Sequence, residues 1–234
     1  MAADTMKTNY FDEVTPHYGP QRCSFAVEFI KQHATPTTRV IDVGCGDGAV
    51  LNLISREVRV AELVGVDTSA RLLERAKLSV GCRTIQASIL DGTFVKGQCG
   101  RYNFCLMLSV LHHLVGATRT TSYRLAQMAV GNALTLLASG GHLIILEPTY
   151  GPQLLMTLIF WIKRAVGSLT SRRLELFASW VNIGQPVVSY LTVRRLDGLL
   201  PKTDATLCAR TVLSQKRLGF IIKEAAIGIV AQKA

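Results

Sequence analysis

The stretch VIDVGCGDGAVL, Val40 to Leu51, decides the fold. Val40, Ile41 and Val43 read as an apolar strand. Gly44, Gly46 and Gly48 form a turn, and Ala49-Val50-Leu51 opens a helix. Glycines at such spacing let the backbone come close to a ligand. In an open parallel sheet, ligands bind at the carboxyl ends of the strands, where this turn lies.

Outward from this turn, strands and helices alternate. Residues 21–32 place Phe25 and Phe29, and Ala26 and Ile30, four apart, as an amphipathic helix does. Strands are expected over 39–43, 62–66, 83–86, 102–110 and 142–146. Helices are expected over 48–56, 69–79 with Ser69 as N-cap, and 119–137. The run at 102–110 is largely apolar, as in a strand buried on both faces. The alternation predicts an α/β fold: a doubly wound, mostly parallel sheet with helices on both faces. From Pro148 the pattern changes. Residues 149–203 hold helical segments without a clear buried strand, so they read as a helical insertion before two last strands, 206–213 and 225–232. No flexible linker flanks them. The expected organisation is one domain, 1–234, with an N-terminal cap (1–38), a ligand-binding core (39–148), the insertion (149–203) and the closing strands (204–234).

The 234 residues suffice for a full hydrophobic core, and 49% are apolar, which excludes a disordered chain. A formal charge of +10 suits an anionic partner without choosing one. Six cysteines without a C-x-x-C pair, and a polar start, predict reduced thiols in a cytoplasmic protein. No metal site is expected: the five histidines show no H-x-x-x-H spacing.

The glycine turn alone is ambiguous. Gly44, Gly46 and Ala49 satisfy the loose dinucleotide fingerprint G-x-G-x-x-A, and Asp67 stands where a ribose-binding acid belongs. Asp42 tips the balance. Its carboxylate would repel a pyrophosphate and welcome a cationic amino-acid moiety. S-adenosylmethionine carries an α-ammonium and a sulfonium, keeps a ribose diol for Asp67, and has no phosphate. Four ordered motifs, IDVGCGDG, VGVDTS, LSVLHHL and LLASGGHLIILEP, resemble those of the class I S-adenosylmethionine-dependent methyltransferases, small-molecule branch, over about 10–148. The resemblance implies a seven-stranded Rossmann-like sheet whose last strand is antiparallel. It also implies that Asp42, Gly44, Cys45, Gly46 and Gly48 line the methionine end of the cofactor. Asp67 would take the ribose, Thr68 would lie beside the adenine, and Ser88 and Ile89 would flank the adenine amine. Ser88 replaces an acidic residue usual in the family. Asn103 replaces an aspartate, which weakens any catalytic claim there.

His112 and His113 follow the fourth strand. One reading is a general base for a hydroxyl acceptor; the other is a packing or loop-bonding role. Neighbouring side chains diverge, so one at most is expected to face the ligand. Glu147, in LEPTY, reads as a loop residue rather than an acceptor contact. Tyr10 and Tyr18, in a Tyr-rich lead-in like that of many small-molecule methyltransferases, are candidates to cover the cofactor. The apolar segment Leu154–Val166 has three readings: a lid over a lipophilic acceptor, an interfacial membrane helix with Trp161 and Lys163-Arg164 at the headgroups, or a homodimer contact.

The reading is a methyltransferase acting on oxygen or carbon of a small, lipophilic acceptor by in-line displacement. Nucleic acid is disfavoured as partner. No RNA-binding module is evident, no Asn/Asp-Pro-Pro-aromatic motif follows the fourth strand, and aromatics are 7%. RNA methylation, an NAD-dependent oxidoreductase and a non-catalytic cofactor-binding protein stand as alternatives.

Overall fold

The computed structural model describes residues 20–169, 174–176, 181–183, 187–201, 203–218 and 222–234. The elements run α1 (Pro20–His33), β1 (Arg39–Val43), α2 (Ala49–Glu57), β2 (Glu62–Asp67), α3 (Ala70–Val80), β3 (Arg83–Gln86), α4 (Gly92–Gly97) and β4 (Tyr102–Leu108). A 3₁₀ turn (Leu111–His113) leads to α5 (Arg119–Leu136), β5 (Leu137–Gly151) and α6 (Gln153–Leu169). Then come β6 (Leu174–Leu176), β7 (Val181–Ile183), α7 (Val193–Asp197), β8 (Ala205–Leu218) and β9 (Ile222–Lys233).

Seven strands form one sheet in the order β3-β2-β1-β4-β5-β9-β8. β1 to β5 are parallel, and β9 runs antiparallel to both β5 and β8. This is the expected sheet with its reversed last strand. The central strands are apolar because helices cover both faces. Ile41, Val43, Cys105 and Met107 face one layer with Ala126, Ala129, Val130 and Ala133 of α5. Val40, Phe104, Leu106 and Leu108 face the other with Ala26, Val27 and Ile30 of α1 and Ile54 of α2.

Local signals hold where they are strongest. The Ser69 hydroxyl accepts from Leu72 N–H, and α3 ends at Gly81 with φ 66°. Thr118 and Thr121 cap α5 reciprocally. Most ends agree with the expected ones to within two residues, as helix and strand ends do. β5, β8 and β9 are longer than expected because β9 pairs along β5 from Gly151 to His142. The insertion corrects the sequence reading: it is not wholly helical. The short hairpin β6–β7 lies between α6 and α7. Three-residue strands leave too little periodicity to be read. Among the described residues, no helix is long and apolar enough to cross a membrane.

The insertion returns across the carboxyl edge of the sheet. Ser189 N–H donates to His112 C=O at 2.8 Å, and Tyr150 N–H donates to Leu191 C=O at 2.9 Å.

Candidate functional site

The glycine turn joins β1 to α2. Gly44, Gly46 and Gly48 have φ 75°, 56° and 81°. Two of them differ in what they require. A Cβ on Gly44 would lie 2.5 Å from Val110 Cγ2, so this glycine lets the turn touch the segment after β4. A Cβ on Gly46 would meet nothing within 4 Å. Gly46 faces open space, the side from which a ligand can approach the backbone.

Two carboxylates frame the turn. Asp67 accepts from Gly46 N–H through Oδ2 at 3.0 Å and from Ser69 N–H through Oδ1 at 2.9 Å. It therefore ties the glycine turn to the start of α3. Asp42 is 1% exposed, and its Oδ1 has no hydrogen-bond partner among the described residues. Burial, with the Asp67 charge added, pushes its carboxyl up to about 8. A buried carboxyl oxygen without a partner costs free energy that an approaching donor would recover. Cations suit this position.

The other expected cofactor residues lie around this frame. Cys45 packs its side chain with Leu51 and Leu73, and burial pushes its thiol far above the ordinary range. It offers a backbone, not a nucleophile. Thr68 is exposed, and its C=O accepts from Gln86 Nε2. Ser88 Oγ accepts from Leu90 N–H at 3.2 Å. Ile89 is 3% exposed within the core, and its C=O accepts from Asn132 Nδ2 at 2.7 Å. Asn103 Oδ1 accepts from Arg39 N–H, so it joins the first residues of β1 and β4, at the opposite end from the glycine turn. Tyr10 and Tyr18 lie outside the described residues.

The edge beyond β4 is built on Glu147. This residue ends the inner part of β5 and is fully buried. Its Oε2 accepts from Leu111 N–H at 3.2 Å, and its Oε1 accepts from His112 N–H at 3.0 Å. The same Oε1 contacts His112 Nδ1. A carboxylate can only accept, so Nδ1 carries a proton, and in the neutral imidazole the lone pair is on Nε2. Glu147 thus fixes both the turn and the tautomer of His112. The rings of His112 and His113 do not diverge: their centroids are 3.9 Å apart in the tight 3₁₀ turn. Ser109, between β4 and this turn, has φ 60°, an uncommon conformation for a residue with a Cβ.

The His112 ring stacks on Tyr190 (centroids 5.4 Å, 24°), and Tyr190 packs against Tyr150 (4.4 Å). Arg119 donates from Nη2 to Tyr190 C=O at 2.7 Å. Lys163 Nζ lies over the Tyr190 ring, 5.9 Å from its centroid. Sequence reasoning did not single out Tyr150, Tyr190 or Arg119, and it gave Lys163 a place only in the membrane-interface reading, at the headgroups. The missed signal was the helical spacing of Met156, Phe160 and Lys163 on one face of α6. All three are buried, whereas Leu154, Leu158, Trp161 and Ile162 are exposed.

The family described as "Methyltransferase domain" matches residues 16–207. Among curated proteins, a carboxy-S-adenosyl-L-methionine synthase of Trichodesmium erythraeum is 42% identical over 53 residues, 22% of this chain and 21% of that protein. The matches span 15–29% of the length of the curated relatives. Among solved structures, an S-adenosylmethionine-dependent methyltransferase of Methanosarcina mazei matches with TM-score 0.60 at 15% identity, over 88% of this chain and 96% of that one. A magnesium protoporphyrin IX methyltransferase of Synechocystis PCC 6803, solved with bound S-adenosylmethionine, matches with TM-score 0.58 at 12% identity, over 92% and 79%. At these identities the likeness of structure speaks for the fold.

Proposed function

The chain belongs to the family of methyltransferase domains, and we propose that it transfers a methyl group from S-adenosylmethionine to oxygen or carbon of a small, lipophilic acceptor. The observation that carries this reading is the buried, unpartnered Oδ1 of Asp42, on the strand that leads into the glycine turn with its open Gly46. A cationic amino-acid group fits there, and a pyrophosphate does not. Bound at this turn, S-adenosylmethionine supplies an electrophilic methyl carbon on a sulfonium, ready for in-line displacement.

The chain's own residues supply the rest. Asp42 binds the ammonium, and the backbone of Gly44 to Gly48 lies along the methionine moiety. Asp67 accepts from the ribose hydroxyls while holding Gly46. Thr68, Ser88 and Ile89 border the adenine. His112 Nε2 takes the proton of an acceptor hydroxyl, and Glu147 keeps the imidazole in the required tautomer. His113 packs against His112 and helps to fix its ring. The insertion shuts water out and offers Tyr150, Tyr190, Met156 and Phe160 to an apolar acceptor. Excluding water and aligning the reactants are the main tasks when the donor is already activated.

Two finer readings rest on single observations. The exposed apolar stripe of α6, Leu154, Leu158, Trp161 and Ile162, favours peripheral contact with a membrane surface, with a homodimer as the competing use. The six cysteines are free, in keeping with a reducing, cytoplasmic setting.

Calorimetric titration with S-adenosylmethionine and with NAD tests the cofactor assignment. The expected result is binding of the first and none of the second, with Asp67→Ala weakening the first at unchanged fold. Binding of NAD alone would turn the reading to an oxidoreductase.

A further inference from the structure

We propose that Lys163 is the anion-binding residue of the acceptor site, so that the acceptor carries a carboxylate at one end of an apolar body. The inference rests on the methyltransferase reading and deepens it. Lys163 is 4% exposed, on the inner face of α6 that also carries Met156 and Phe160, with its Nζ over the Tyr190 ring. Among the residues whose side chains are described, that ring is its partner, and no carboxylate of theirs comes within ion-pair distance. An isolated ammonium is costly to bury, and proteins bury charges when they are paired or bind a counter-charge. Burial alone pushes this amine down to about 8, so it remains largely protonated near neutral pH.

Its position supplies the ligand. Lys163 and His112 lie on the same tyrosine: Lys163 Nζ is over the Tyr190 ring, and the His112 ring stacks on it. An acceptor lying along Tyr190 and Tyr150 would have its anionic end at Lys163 and its reacting hydroxyl toward His112 Nε2. Lys163 is a flexible point charge, whereas Arg119 is engaged through Nη2 with the Tyr190 C=O. A monoanion matches one ammonium; a phosphate dianion calls for several donors. The aromatic faces and Phe160 match the apolar body.

The test uses the full-length protein saturated with S-adenosylhomocysteine, whose binding is measured first. Affinities are then measured for matched probes: 1-naphthoate, decanoate and 4-hydroxybenzoate against their uncharged carboxamides. At least one carboxylate is expected to bind tenfold or more tightly than its amide. That preference should vanish in Lys163→Met, with S-adenosylhomocysteine affinity unchanged, and should persist in Lys163→Arg. Replacing a buried cation by Met removes a charge from the core, so this variant is expected to fold. Should it not, Lys163→Gln repeats the comparison. No preference for any carboxylate in the parent protein, or a preference that survives in Lys163→Met and Lys163→Gln, overturns the proposal. Loss of S-adenosylhomocysteine binding in the parent would instead strike the methyltransferase reading itself.

Discussion

Asp42 has opposite consequences for the empty and the occupied protein. Its carboxyl is raised from 3.8 to about 8 by burial and by Asp67, so the folded empty protein holds a proton that the unfolded chain releases above pH 4. The stability cost grows as pH rises from about 4 to about 8. Asp42→Asn is therefore expected to melt higher than the parent, with the gap widening between pH 6 and pH 8. A constant gap in thermal unfolding would contradict the assigned shift. For the cofactor the sign reverses. Below pH 8 a bound ammonium must displace the Asp42 proton. Affinity should thus rise with pH, approaching roughly tenfold per unit, until the ammonium itself titrates near about 7.7–8.0. Calorimetry across pH 6–8 measures this, and Asp42→Asn should be flat in that window. His112 belongs to the same scale. His112→Ala should lower kcat by about 10²–10⁴-fold at unchanged cofactor affinity, the range of general-base help. Glu147→Gln should lower it less, since an amide oxygen still accepts from the turn. Full turnover in His112→Ala would leave this histidine a packing residue. Asp42 and Asp67 were legible in the sequence because strand ends are fixed by apolar runs and motif spacing. The Glu147–His112 contact was not, because it joins residues 35 apart across two strands.

The glycine turn and α6 show what the elements contribute. Gly44 combines φ 75° with a Cβ position 2.5 Å from Val110 Cγ2. Gly44→Ala should cost about 1–2 kcal/mol for the left-handed backbone and about 1–3 kcal/mol for the overlap. Adding Val110→Ala should return the overlap part only, as denaturant unfolding would show. Full recovery would mean that the turn tolerates a side chain. α6 divides its apolar residues between two faces, inward at Met156 and Phe160 and outward at Leu154, Leu158 and Trp161. Paired Leu158→Glu and Trp161→Glu substitutions should abolish sedimentation with anionic liposomes and leave cofactor binding intact. A parent that does not sediment but is dimeric would assign this face to a second copy. Composition identified the helix as unusual. It could not tell the two faces apart, because Met and Phe on one and Leu, Ile and Trp on the other are all apolar, and the buried Lys163 is of a type ordinarily read as surface.

In the whole molecule, five parallel strands bring Asp42, Asp67, His112 and Glu147 to one carboxyl edge, and Ser189 and Leu191 bond across it. The parallel core was legible because βαβ units alternate two periodicities. The insertion was less so, since its elements after α6 are short and contacts such as Ser189 to His112, rather than local preference, hold it. Methyl transfer to a lipophilic acceptor is tested most directly by transfer of label. The protein is incubated with methyl-labelled S-adenosylmethionine and a host lysate, then acidified and partitioned between organic and aqueous phases. Protein-dependent label is expected in the organic phase and is lost with Asp67→Ala. Label confined to the RNA fraction, or no transfer by a protein that binds S-adenosylmethionine, would contradict it.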